Sequence, residues 1–144
     1  MIVPNSKNAD SPFSKQQVRE TVSCAIDREA IVEAWGFGFW EPAYQLSWKV
    51  NMGHIPGLKH RYNPKKAKQL LKEAGYPDGF KTKITPMAHG TDKYVIVVVQ
   101  AYLAAVGIEA RLENAPMGKY SEYRFKGWNN GLTMQPFGVS INPN

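Results

Sequence analysis

The run from Phe80 to Glu113 constrains the fold of this chain more than any other stretch. Phe80-Lys81-Thr82-Lys83-Ile84 alternates apolar and polar residues with a period of two, as a half-buried strand does. Ile108-Glu109-Ala110-Arg111-Leu112-Glu113 alternates in the same way. Between them, Thr91 to Gly107 is ambiguous on propensity, because Val95-Ile96-Val97-Val98-Val99 is β-branched throughout. Its length favours a helix, as do Gly107 at its end and a face made of Val95, Val98, Val99, Tyr102 and Val106. Strand, helix, strand in this order is a βαβ unit, which packs as a right-handed parallel crossover. An α/β fold is therefore expected, with Ile84, Ile108 to Leu112 and Leu132 to Val139 in one sheet. Val95, Val98 and Tyr102 are expected to be largely buried against it.

The rest of the chain reads as helices around that unit. Ser14 and Gln17 have the spacing of a capping box, and Phe13 and Val18 that of a hydrophobic staple. Val18, Val22, Ala25 and Ile26 then share one helical face. Asp27 reads as the cap of a second short helix that Gly36 stops. Asn63-Pro64 opens another, with Ala67, Leu70, Leu71 and Ala74 as its buried face and Gly75 as its end. Ile2-Val3 reads as a short strand and Pro116 to Lys126 as a further helix. Gly36 to Arg61 is the least regular part and carries Phe37, Phe39, Trp40, Tyr44 and Trp48. Two readings of it stay open: a loop folded back over the core, or one wall of a ligand cleft.

Composition and motifs exclude more than they assert. Lys and Arg number 18 against 12 Asp and Glu, a formal net charge of +6 that raises the alternative of a basic module for anions or nucleic acid. The lysines are scattered, or, like Lys65, Lys66, Lys68 and Lys72, sit on the outside of a helix, so no nucleic-acid partner is expected. No run approaches the roughly 18 apolar residues that span a bilayer, and residues 1–14 lack the features of a signal peptide. The chain is expected to be soluble, without membrane insertion and without an address of its own. Cys24, the single cysteine, reads as a small buried hydrophobe. His54, His60 and His89 form no zinc pair, and no nucleophile elbow, P-loop or dinucleotide fingerprint occurs. Asp27, Arg28 and Glu29 read as helix capping with a local ion pair rather than as acid–base residues. No enzymatic activity, cofactor or metal site is expected.

Three phrases, in order along the chain, carry a family resemblance. Pro12-Phe13-Ser14, Val18-Arg19 and Ala25-Ile26-Asp27-Arg28-Glu29-Ala30-Ile31 resemble "PFsd.xVRqAi.yAIDReaIv". Tyr62-Asn63-Pro64, Ala67-Lys68, Leu70-Leu71 and Glu73 to Phe80 resemble "YdPekAkaLLaeAGypdGf". Gln100-Ala101-Tyr102-Leu103 with Val106-Gly107-Ile108 is similar to "iqaqLakiGIkv". These are signatures of bacterial solute-binding proteins of the dipeptide, oligopeptide and nickel class (family 5), the capture components of ABC importers. The resemblance implies a periplasmic-binding-protein-like fold of type II, a mixed sheet flanked by helices. It implies that residues 1–144 are a single α/β lobe, an incomplete piece of the second of two lobes that close on a solute. Such a parent would lie outside the cytoplasm, as a periplasmic protein or a cell-surface lipoprotein, take a peptide or small molecule, and meet ABC permease subunits. An extracytoplasmic ligand sensor of the same fold is the alternative within the family.

The resemblance also implies ligand contacts. In peptide-binding members a segment of the type "W......R........GW.aDy.dP" lines the cleft, its aspartate anchoring the peptide's amino terminus. Laid without gaps back from Asn142-Pro143, that segment places Met117 at the tryptophan and Arg124 at the arginine. Pro136-Phe137 then replaces the second tryptophan and its neighbour, Gly138 follows, and Val139 stands at the aspartate. Valine cannot neutralise an ammonium, so the solute is expected to be neutral, amine-blocked, or anionic with Arg124 as partner. Arg124 as a structural salt bridge and Phe137 as strand core stay open beside these roles. Trp40 and Trp48 complete the expected substrate-binding set from the irregular segment.

Overall fold

In the computed structural model, residues 1–45, 47, 52–59, 61–87, 93–128 and 130–134 are described, apart from the side chain of Arg124. Strand β2, Phe80–Pro86, lies at the centre of a four-stranded mixed sheet. On one side it pairs in parallel with β3, Ile108–Leu112, from Phe80↔Ile108 to Ile84↔Leu112. On the other it pairs in parallel with β4, Leu132–Met134. β1, Ile2–Pro4, closes that side antiparallel to β4. Helix α4, Lys93–Ala104, connects β2 to β3, so the expected βαβ unit is present. The remainder of the strand expected over Leu132 to Val139 lies outside the described residues.

Two glycines let the base of the unit close. Gly79 and Gly107 have φ of +79° and +99°, a region that favours glycine, and a Cβ on Gly79 would overlap the Gly107 carbonyl. That carbonyl accepts the Phe80 N–H at 3.1 Å, joining the starts of both strands.

The Val-rich run is a helix, but rotated from the expected face. Ile96, Val99, Leu103 and Val106 are buried, whereas Val95, Val98 and Tyr102 are only half-buried and Val97 is 57% exposed. Nearly every position in this run is apolar, so periodicity had no polar face against which to fix the rotation. Docking on the sheet decides it: Ile96, Val99 and Leu103 join Ile84, Ile108 and Leu132 in one core cluster.

Helices α1, Gln16–Ala25, and α3, Pro64–Glu73, pack together over that core. Fully buried Thr21 shares its hydroxyl proton between the carbonyls of Gln17 at 2.9 Å and Ala67 at 3.2 Å, which offsets the cost of burying a polar group in the contact. Asn63 caps α3 by accepting from Lys66 N at 2.9 Å, and Ala67, Leu70, Leu71 and Ala74 are buried as the sequence implied. The expected capping box at Ser14 does not form. Ser11-Pro12 starts a 3-10 turn over Pro12–Ser14 in which the Ser11 hydroxyl accepts from Phe13 N. The chain thus turns helical one step early, Ser14 donates back to Ala9 O, and α1 begins after Lys15 with no side-chain cap. Phe13 and Val18 are still both fully buried. Helix α2, Arg28–Trp35, is capped by Asp27 accepting from Ala30 N at 3.0 Å, and Gly36 ends it. Cys24 is buried.

Candidate ligand-binding site

β2, β3 and β4 run in one direction, so their carboxyl ends share an edge of the sheet, where open α/β folds place ligands. β1 is antiparallel, and its first residue, Ile2, lies beside Met134 at that edge. From here a concavity of about 830 Å³ extends between α1, α2 and residues 41–45, with Val95 and Val99 of α4 also on its wall. Val22, Ile26, Ile31, Val32 and Met134 supply most of the remaining apolar lining. Size and character match ordinary small-molecule sites, largely apolar with a few placed polar groups. None of the residues of α2 is fully buried; Ile31 packs against the core cluster and, with Val32, also contributes to this wall.

The polar groups are Arg19, Ser23, Arg28, Glu41, Tyr44 and Gln45. Arg28 does not form the local ion pair that the sequence suggested. Asp27 is occupied as a cap, and the Arg28 guanidinium folds back onto the end of α1, donating to Ser23 O at 2.9 Å and Ser23 Oγ at 3.3 Å. It thereby satisfies one of the carbonyls that a helix end leaves without a partner. Its carbon Cζ lies 5.9 Å from the Tyr44 ring centroid. Burial lowers the Arg28 pKa, offset in part by Tyr44 and Cys24, and a guanidinium starting so high keeps its charge. Tyr44 donates its hydroxyl to Glu29 Oε1 at 2.9 Å, which ties residues 41–45 to α2. Burial and that hydrogen bond raise the Tyr44 pKa. Arg19 donates to the carbonyls of Phe13 and Ser14 at 2.9 and 2.7 Å.

A second polar cluster sits at the end of β3. The Glu113 carboxylate accepts from Lys83 Nζ at 3.1 Å, Thr85 Oγ1 at 2.9 Å and Tyr123 OH at 3.5 Å. Burial alone would raise its pKa, but the bonds from Thr85 and Lys83 and the charges of Lys83 and Lys119 outweigh it, and the net shift is downward. The cluster fastens α5, Met117–Lys126, to the sheet. Among the described residues no group of three or more His, Cys, Asp or Glu is placed to hold a metal, and no helix is long and apolar enough to cross a membrane.

The expected site residues are scattered relative to this concavity. Trp40 lies next to Glu41 on its rim, packs over Gly36 and is 49% exposed, but is not part of the lining. Met117 opens α5 and is 42% exposed, away from the lining. Arg124 is on α5. Trp48, Phe137, Gly138 and Val139 lie outside the described residues. Sequence reasoning passed over Arg19, Arg28 and Tyr44 as site residues. Their signal was faint: two arginines inside apolar helical phrases, and a tyrosine in a loop rich in aromatics.

Mixed sheet, flanking helices and a concavity at the strand ends define a lobe of the type II periplasmic binding proteins. The chain belongs to the family described as "Bacterial extracellular solute-binding proteins, family 5 Middle", whose model matches residues 1–140. It is 38% identical over 112 residues to the glutathione-binding protein GsiB of Salmonella choleraesuis, a match covering 75% of this chain and 21% of that protein. The chain thus spans about a fifth of the length of the curated relatives it matches. Among solved structures it resembles the periplasmic binding protein DppA of Helicobacter pylori in complex with peptide STSA, at 28% identity and TM-score 0.80, over 92% of this chain and 25% of that one. The oligopeptide-binding protein AppA of Bacillus subtilis, in complex with a nonapeptide, gives 27% identity and TM-score 0.77, over 96% and 31%.

Proposed function

We propose that this chain is part of the second lobe of a two-lobed solute-binding protein, the capture component of an ABC importer for peptides or a related small solute. Residues 1–144 act in it as one α/β lobe. The observation that carries this reading is the apolar concavity of about 830 Å³ at the carboxyl edge, in a chain of this family. The relatives named as binding glutathione, the peptide STSA and a nonapeptide support a peptide-like solute. Capture needs no chemistry at the solute: the two lobes close on it, water is expelled, and polar groups fix its orientation. On the sequence pattern alone, Trp40, Trp48, Met117, Arg124, Phe137, Gly138 and Val139 stay candidate solute contacts of the intact protein in this reading, in addition to the lining of the concavity. The intact protein works outside the cytoplasm and hands its solute to permease subunits.

The test uses the intact polypeptide that carries this chain. Glutathione and a library of di- to nonapeptides are screened by thermal shift, and hits are confirmed by equilibrium dialysis with product analysis. The expected result is a solute that raises Tm with concentration and is recovered unchanged. Failure of every peptide to bind, or conversion of a bound one, would overturn the reading.

A further inference from the structure

Two cations line the concavity without a carboxylate partner among the described residues. The Arg28 guanidinium commits donors to Ser23 alone, and Arg19 commits only Nη1, to two carbonyls. The other donors of each planar fork remain unclaimed among the described residues. Both side chains are half-buried, where a charge is less screened than on an open surface. Glu41, the only acidic residue on the lining among the described residues, has an interaction of its own, and the arginines outnumber it. Around them the wall is apolar: Val22, Ile31, Val32, Val95.

We infer that the solute taken by this concavity is an anion with an apolar body, its carboxylate on the free guanidinium donors of Arg28 and its body against Val22, Ile31 and Val95. This rests on the solute-binding reading above and deepens it by naming the solute's charge. A guanidinium meets a carboxylate through paired N–H donors, a geometry that a lysine ammonium does not offer. Tyr44 holds the edge of the wall, since its hydroxyl is tied to Glu29 while its ring stays near Arg28. Arg19 is a second, weaker source of the same field, as its bound Nη1 faces backbone carbonyls.

The test is an NMR titration of the isotope-labelled intact polypeptide with three leucine derivatives of different charge: N-acetyl-leucine (anionic), its isosteric amide N-acetylleucinamide (neutral) and the smaller leucinamide (cationic). The expected result is shifts at Val22, Ile31 and Tyr44, with the anion bound about tenfold tighter than the neutral amide and the cation weakest. Arg28→Met should remove the preference and keep the neutral amide's affinity, and Arg28→Lys should restore it in part. Unchanged β2 and β3 resonances in each variant report an intact fold, and Arg19→Met gives a second variant if Arg28→Met unfolds. Equal affinity for anion and amide, or preference for the cation, would overturn the inference and leave the solute-binding reading standing. Silence from all three probes would overturn the inference, while the solute-binding reading is decided by the peptide screen.

Discussion

Replacing Leu103 by alanine should destabilise the fold by about 3 kcal/mol. Leu103 is fully buried on α4 and belongs to the core cluster that holds Ile84 and Ile108 of the two parallel strands. The loss combines the transfer energy of the deleted carbons with that of a partly relaxed cavity. About 3 kcal/mol lies within the range measured for Leu→Ala changes at fully buried positions. Val97, 57% exposed on the opposite side of the same helix, is the control, and its replacement by alanine should change stability by less than about 0.5 kcal/mol. With a urea slope of roughly 1.5–2 kcal/mol/M, Leu103→Ala should lower the unfolding midpoint by about 1.5–2 M, and Val97→Ala should leave it nearly unmoved. Far-ultraviolet circular dichroism across a urea series reads both. Equal losses at the two positions, or a larger one at Val97, would refute the rotation of α4 and the packing built on it.

Gly79→Ala should cost at least about 2 kcal/mol, from a positive φ and a blocked approach to Gly107, while Gly57→Ala, with φ +77° and open space, should cost about 1 kcal/mol; paired urea curves separate them. Asn63→Ala removes the α3 cap and should cost about 1 kcal/mol, by the same assay. The folded-state pKa of Glu113 lies below its ordinary value, so its contribution is present above the unfolded carboxylate pKa and is lost as pH falls through the folded one. Stability measured between neutral and acid pH should therefore fall less steeply in Glu113→Gln than in the parent chain.

The fold was largely legible because its signals are local. Alternation marked β2 and β3, Asn63-Pro64 marked the start of α3, and Asp27 marked that of α2. The rotation of α4 was not legible, since a run apolar on every side leaves the choice of face to the sheet. Nor was the start of α1, where Ser11 and Ser14 both fit a cap and the proline after Ser11 decides between them. Site residues were harder still. Arg28 reads as one partner of neighbouring carboxylates in sequence, yet its guanidinium turns to Ser23 of the preceding helix, five residues back. The concavity joins β1, α1, α2 and α4 from opposite ends of the chain, and no single phrase of sequence contains it.

Hydrogen–deuterium exchange of the intact polypeptide, with and without a saturating solute from the peptide screen, tests the central claim most directly. Residues 41–45 and the first turns of α2 should gain protection on binding, because they form the wall of the concavity. β2 and β3, already held in the sheet, should change little. Binding that leaves residues 41–45 and α2 unprotected, while another surface of the chain becomes protected, would contradict the assignment of this concavity as the solute site.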